Sequence, residues 1–233
     1  MHRGALIPAV LAGLAAIALA SGCTTTKQQT APLTAAAGGF FGDAVKLLSP
    51  GSDGEAALRY VNEGADWKQY DKILLEPVQF WAGADSQLAP DVQQMMATYL
   101  YNAVKENLTK QGFALADLPG KGVIRAQLAI MDVTAATPIL RTVSVIVPQA
   151  RVLNQAQELL TGTYGFSGSA EVALKVTDSR TGQLLAAALD KRSGGGAIQQ
   201  AAQWKWGDAE AAMDKWAEMY TARLVELRAK RRG

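Results

Sequence analysis

Histidine and cysteine are almost missing from this chain: its 233 residues hold one of each, His2 and Cys23. A lone cysteine makes no intrachain disulfide, so the fold rests on packing and hydrogen bonds. Past Cys23 there is neither imidazole nor thiol, which excludes Ser-His-Asp and Cys-His nucleophilic chemistry and Cys/His zinc sites. An excess of charge of one sign is missing too. Lys and Arg number 23 against 21 Asp and Glu, a formal net of +2. That is too weak a field to hold a phosphate backbone, so nucleic acid is not an expected partner. After the first 22 residues no apolar run approaches the roughly 18 residues that cross a bilayer.

Motifs for small-molecule chemistry are equally scarce. The glycine-rich Ser193-Gly194-Gly195-Gly196 lacks both the Gly-Lys-Ser/Thr ending of a phosphate loop and the spacing of a dinucleotide loop, and reads as a connector. Asp43, Asp53, Asp66, Asp132, Asp178 and Asp190 are not spaced as a calcium loop or a glycosidase pair, and read as turn and capping residues. The expectation is a protein that is not an enzyme and has no cofactor, no metal and no catalytic residues.

What is present begins at the N-terminus. Arg3 supplies a basic start, Ala5 to Ala20 form an almost uncharged apolar run, and Leu19-Ala20-Ser21-Gly22-Cys23 follows with small residues before the cysteine. This resembles the lipobox of bacterial lipoproteins, with Ala20 standing where leucine is commoner. The resemblance implies removal of residues 1–22 as a lipoprotein signal peptide and lipidation of Cys23. Thr24, in place of the aspartate linked to inner-membrane retention, implies an outer-membrane, periplasm-facing location. Residues 23–39, rich in Thr, Gln and Ala, read as a flexible tether. Residues 40–233 read as one domain, since 49% hydrophobic and 19% charged residues suit a globular core.

Hydrophobic periodicity then predicts the elements. Tyr70 to Trp81 reads as a buried strand whose far half Pro77 disturbs, because proline offers no N–H to a ladder. Pro90 to Gly112 reads as a helix, with Pro90 in its first turn, Gly112 just past its end, and Met96, Leu100, Val104 and Leu108 on one face. Val123 to Val133 alternates, Ile124, Ala126, Leu128 and Ile130 opposing Arg125 and Gln127. Ala170 to Thr177, the turn Asp178-Ser179-Arg180-Thr181-Gly182 and Gln183 to Asp190 read as a hairpin. Gly207 to Arg231 reads as a second helix, capped by Asp208, with Met213, Trp216, Tyr220 and Leu224 inward. Phe40, Phe41, Leu47 and Leu48 are expected along the domain surface. The expected fold is α+β: a mostly antiparallel sheet of about four strands with two amphipathic helices on one face, in the order β-α-β-β-β-α.

Three further segments have a functional and a plain reading. Residues 137–160 interrupt the sheet pattern with a long apolar stretch. It is either a flap in which Ile139, Val143, Val145 and Val147 meet an envelope partner or a second copy, or an extra strand bracketed by Pro138 and Pro148. Trp67, Trp81, Trp204, Trp206 and Trp216 read as core anchors rather than a stacking platform. Arg223, Arg228, Lys230, Arg231 and Arg232 read as cations complementing a helix C-terminus.

Three stretches, Tyr70-Asp71-Lys72-Ile73-Leu74-Leu75-Glu76-Pro77-Val78, Thr177 to Ala188 and Lys205-Trp206-Gly207-Asp208, are similar to bacterial lipoproteins of the domain of unknown function family 3313. That resemblance spans about Phe40 to Leu227 and transfers no catalytic residue. Together these features point to a lipid-anchored interaction or assembly module of the cell envelope. A periplasm-facing small-ligand binding protein, or a carboxylate-dependent enzyme, is the alternative.

Overall fold

The structure, a computed structural model, describes residues 26–81, 88–134, 168–194 and 206–230. Its centre is the expected hairpin: β8 (Ser169–Asp178) and β9 (Leu184–Gly194) pair antiparallel. The turn closes because the Asp178 carboxylate accepts from the backbone N–H groups of Arg180 (2.9 Å) and Thr181 (2.8 Å), while Gly182 takes φ +73°. The Tyr70 hydroxyl donates to the same carboxylate at 2.9 Å. β7 (Val123–Thr134) pairs antiparallel with the other edge of β8.

Around this three-stranded centre the sheet is larger and more mixed than expected. β4 (Lys72–Leu75) and β5 (Gln79–Phe80) run parallel to β7 and share its outer edge, and β6 (Ala114–Leu115) runs parallel outside β4. β3 (Leu58–Val61) and β1 (Thr26–Gln29) share the outer edge of β9, and β2 (Ser49–Pro50) pairs outside β3. The order is β2-β3-β9-β8-β7-β4-β6, nine strands in all among the described residues. The expected four-stranded, mostly antiparallel sheet with two helices is therefore corrected to a nine-stranded mixed sheet with three helices. The added strands are two to four residues long, too short to carry a period-2 signal. Pro77 acts as expected: pairing breaks after Leu75↔Ala126 and resumes at Gln79↔Ala129, so one extra residue bulges out around it.

Helices cover both faces. α2 (Pro90–Lys110) and α3 (Gly207–Ala229) pack together on one side. Their Met96, Leu100, Met213 and Trp216 are completely buried over Ile124, Leu128 and Ile130 of β7. Each such side chain contributes about 1.5–3 kcal/mol by leaving water. Gly112, at φ +80°, terminates α2 as its sequence predicts. Asp208 does not cap α3: the residue before the helix is Trp206, and the Asp208 carboxylate in the first turn accepts from Gly168 N at 2.9 Å instead, bracing the start of β8.

The opposite face is covered by α1 (Ala35–Phe41), whose Thr34 Oγ1 accepts from Ala37 N at 3.2 Å. Phe40 and Phe41 are buried against Ala129, Met131, Ala173 and Leu189. They are core residues, not surface ones; Leu47 alone of the four named is exposed. Part of the segment read as a tether is thus drawn into the fold as β1 and α1. The physical cause is the strand alternation itself: Ala129, Met131, Ala173 and Leu189 line the face that Arg125 and Gln127 suggested was polar, and need an apolar cover.

A cleft between the last helix and the sheet

β9 turns Ala186 and Ala188 toward the helix layer, where β8 turns Leu174 and Val176. These methyl groups leave space beneath the C-terminal half of α3. The result is a cleft of about 820 Å³, floored by β7, β8 and β9, roofed by Met219 to Leu227, and walled by the loop 53–56 with Arg59 of β3. Its depth is apolar, reaching Val104 and Leu108 of α2 and Ile73 of β4.

One end of the cleft is polar and held rigidly. Asp190, completely buried in the middle of β9, accepts four hydrogen bonds. Gln28 Nε2 of β1 (2.6 Å) and Ala57 N (2.8 Å) reach one oxygen; Arg192 Nε (2.9 Å) and Trp216 Nε1 (2.7 Å) reach the other. A buried carboxylate is tolerable only when so fully paired. Arg192, itself buried, continues to Thr26 Oγ1 at 3.3 Å. Asp190 therefore ties β1, β9, the loop before β3 and α3 to one another at the cleft wall.

At the mouth, Glu55 joins the two sides. It pairs with Arg59 Nε of β3 at 2.6 Å and lies 3.7 Å from Arg223 Nη2 of α3. Burial pushes its carboxyl up, but the Ser52 N–H and the two arginines outweigh this and hold it below the usual range. Two donors on residues that line the cleft have no hydrogen-bond partner: the Tyr220 hydroxyl and Arg223 Nε, both atoms buried away from the open space. Burial, aided by the Asp190 charge and opposed by Arg192, pushes the Tyr220 phenol well above its ordinary value, so it remains protonated and a donor.

Nothing in the cleft pairs a nucleophile with a base, and no cluster of three metal-ligating side chains occurs among the described residues. The arrangement can bind, orient and desolvate. Cys23, Ile139, Val143, Val145 and Val147 lie outside the described residues. Trp67, Trp206 and Trp216 are buried as expected of core anchors, while Trp81 is partly exposed and stacks edge-on with Phe40 at 5.9 Å. Of the basic C-terminal residues, Arg228 lies 4.7 Å over the Phe113 ring and Arg223 belongs to the cleft mouth. Sequence reading missed Asp190, Tyr220 and Arg223 as a group. Their one signal was the Ala186-Ala187-Ala188 run, small residues in a strand opposite a bulky helix.

The sequence matches the model of the family described as "Protein of unknown function (DUF3313)" over residues 36–220. No curated protein matches it. Among solved structures, two forms of the PelC dodecamer from Paraburkholderia phytofirmans align. One, a single-substitution variant, gives 11% identity and a TM-score of 0.40, covering 71% of this chain and 95% of that one. The other gives 10% identity and a TM-score of 0.37, covering 84% and 97%. A putative neuraminyllactose-binding hemagglutinin homolog from Helicobacter pylori aligns at 10% identity with a TM-score of 0.31, covering 70% and 84%.

Proposed function

Because the chain belongs to the DUF3313 family, whose function is unknown, we propose its role from its own geometry: a lipid-anchored interaction module of the cell envelope that receives the apolar part of a ligand beneath α3. The cleft is the observation that carries this reading. It has the size of small-molecule sites, roughly 300–1,000 Å³, and their character, an apolar body with few fixed polar groups. The pairing of Asp190 preorganises its wall, so little ordering cost falls on binding. No helix among the described residues is long and apolar enough to cross a membrane, and the lipobox-like run ending at Cys23 supplies the attachment. Two or more acyl chains hold a protein stably where one does so only marginally.

Two measurements test the halves of this reading. Anilinonaphthalene sulfonate fluorescence should rise and saturate on the folded protein, and Ala188→Phe, which fills the cleft, should abolish the rise without lowering the melting temperature. A wild-type protein that leaves the dye dark removes the cleft from consideration. Separately, Cys23→Ala should release the protein from membrane fractions; sedimentation that survives a high-salt wash would refute lipid attachment at that residue.

A further inference from the structure

The sheet face away from the cleft is closed by one piece of chain, and the hold of that piece on the fold is slight. We propose that residues 31–48 form a strap that lifts from the sheet as one unit while the strands at its two ends stay paired. Those ends are fixed: β1 pairs along β9 on one side, and β2 pairs with β3 on the other. Between them lie α1 and a 3-10 turn over Gly42–Leu47. Among the described residues, one hydrogen bond joins this stretch to the rest of the protein, from Lys175 Nζ to the Phe40 carbonyl at 3.1 Å. Its other bonds are internal, such as Ala37 N to Thr34 Oγ1, Lys46 Nζ to Asp43 and Leu48 N to Val45 O.

Apolar contact is equally narrow. Phe40 and Phe41 are the large side chains that the strap buries; Ala31 and Ala37 are its other buried residues, and Val45 and Leu48 are half-buried. Leu33 and Leu47, near the two ends, are exposed and add little to the closed state. Nor does α1 sustain itself. Its seven residues are fewer than the roughly 12 that an isolated helix needs, and Gly38 and Gly39 are poor helix formers. The helix therefore depends on the seating of Phe40 and Phe41 and is lost when they leave. Lys175 is the latch: its ammonium meets a carbonyl at the C-terminal end of α1 and lies 5.2 Å over the Phe40 ring. Few buried contacts and few hydrogen bonds to the body mark a unit that opens below the free energy of global unfolding. Lifting it bares Ala129, Met131, Ala173, Ala187 and Leu189 without breaking a strand pair.

Amide hydrogen exchange of the full-length protein, followed at increasing urea below the unfolding transition, tests this. The amides of Gly38 to Gly42 should exchange at least about a hundredfold faster than those at the centre of β8 and β9, and should share one urea dependence. The amides of β1 and β3 should outlast them. Lys175→Met should speed the Gly38 to Gly42 set about threefold to tenfold, the range of one lost hydrogen bond. A substitution on the helix side of the sheet separates the strap from the whole fold. Ile124, 1% exposed, packs beneath the two long helices and remains packed when the strap lifts. Ile124→Val should therefore speed the central β8 and β9 amides about threefold to tenfold and leave the Gly38 to Gly42 set as in wild type. Equal acceleration of both sets would mean that the strap opens only with the whole fold, and would overturn the proposal. Separate urea dependences within Gly38 to Gly42 would show fraying instead of a unit and overturn it too. Exchange of β1 together with α1 would overturn the fixed ends, and an unchanged Lys175→Met would remove Lys175 as the latch.

Discussion

Replacing Asp190 with alanine should destabilise the protein more than any other single polar substitution among the described residues. The carboxylate is completely buried and accepts from Gln28, Ala57, Arg192 and Trp216, so alanine orphans four donors at once. The largest cost is the Arg192 guanidinium, 7% exposed, which keeps its charge but loses its counter-ion. Breaking one side of a buried pair costs about 3–5 kcal/mol, and each neutral donor left dry adds about 1–3 kcal/mol. Relaxation and water entry into the adjoining cleft will recover part of this. A net loss of about 4–6 kcal/mol is expected, against a total near 5–15 kcal/mol for a typical domain. Urea unfolding followed by tryptophan fluorescence reads it directly, because Trp216 is one of the orphaned donors. The double variant Asp190→Leu, Arg192→Met should be markedly more stable than Asp190→Ala, since no charge remains unpaired. An Asp190→Ala midpoint within about 1 kcal/mol of wild type would refute the assignment of Asp190 as the tie between α3, β1 and β9.

Trp216→Ala should cost about 3–5 kcal/mol, since the indole is completely buried beneath α3, and a thermal melt checks it. Asp178→Ala should cost about 1–2 kcal/mol at pH 7. Burial raises the Asp178 carboxyl, but bonds from Thr181, Tyr70 and Arg180 prevail and hold it below the usual range. Its contribution is therefore complete above the ordinary aspartate value of about 4 and lost as pH falls through the lower folded value, so the gap to wild type should close in acid. Glu171 has the opposite sign. It sits buried between Asp132 and Lys191 across the strands, and burial, helped by Asp132 and Asp190 and opposed by Lys191, pushes its carboxyl up. Stability tied to it is complete below the ordinary glutamate value of about 4.3 and is lost as pH rises through the folded value. Glu171→Gln should consequently melt no lower than wild type at pH 7 and lose any advantage at pH 4; a lower melt at pH 7 would contradict this.

The features legible in the sequence are those with a local cause. The β8–β9 hairpin was readable because Asp178 and Gly182 fix its turn before any partner arrives. α2 and α3 were readable from their apolar stripes, and the break at Pro77 from a missing N–H. The strands that widen the sheet at its edges were not readable, because β1, β2, β3 and β6 are each defined by the edge they meet rather than by their own pattern. Phe40 and Phe41 looked superficial because the surface they cover, Ala129, Met131, Ala173 and Leu189, is assembled from three separate strands, β7, β8 and β9. The cleft hid for the same reason. Asp190 reads in the sequence as an ordinary strand-end aspartate, and only the arrival of Gln28, Ala57 and Trp216 from distant parts of the chain gives it a buried role.

β1 has a mechanical consequence. Its first residue, Thr26, pairs with Gly194 and its last, Gln29, with Lys191, so a pull from the N-terminal side enters the fold through four antiparallel pairs along β9. Only two residues, Thr24 and Thr25, stand between Cys23 and Thr26, three steps of chain with a reach of at most about 11 Å. A molecule held at Cys23 would ride close to its surface instead of swinging on a long leash. Tension on it would pass along β1 to Gln28, and through the Gln28 amide to Asp190 and the underside of α3. The strand that would receive such a pull also lines the cleft with Thr26 and Gln28, so traction on the N-terminal side of β1 and the width of the cavity are joined by one short path of hydrogen bonds.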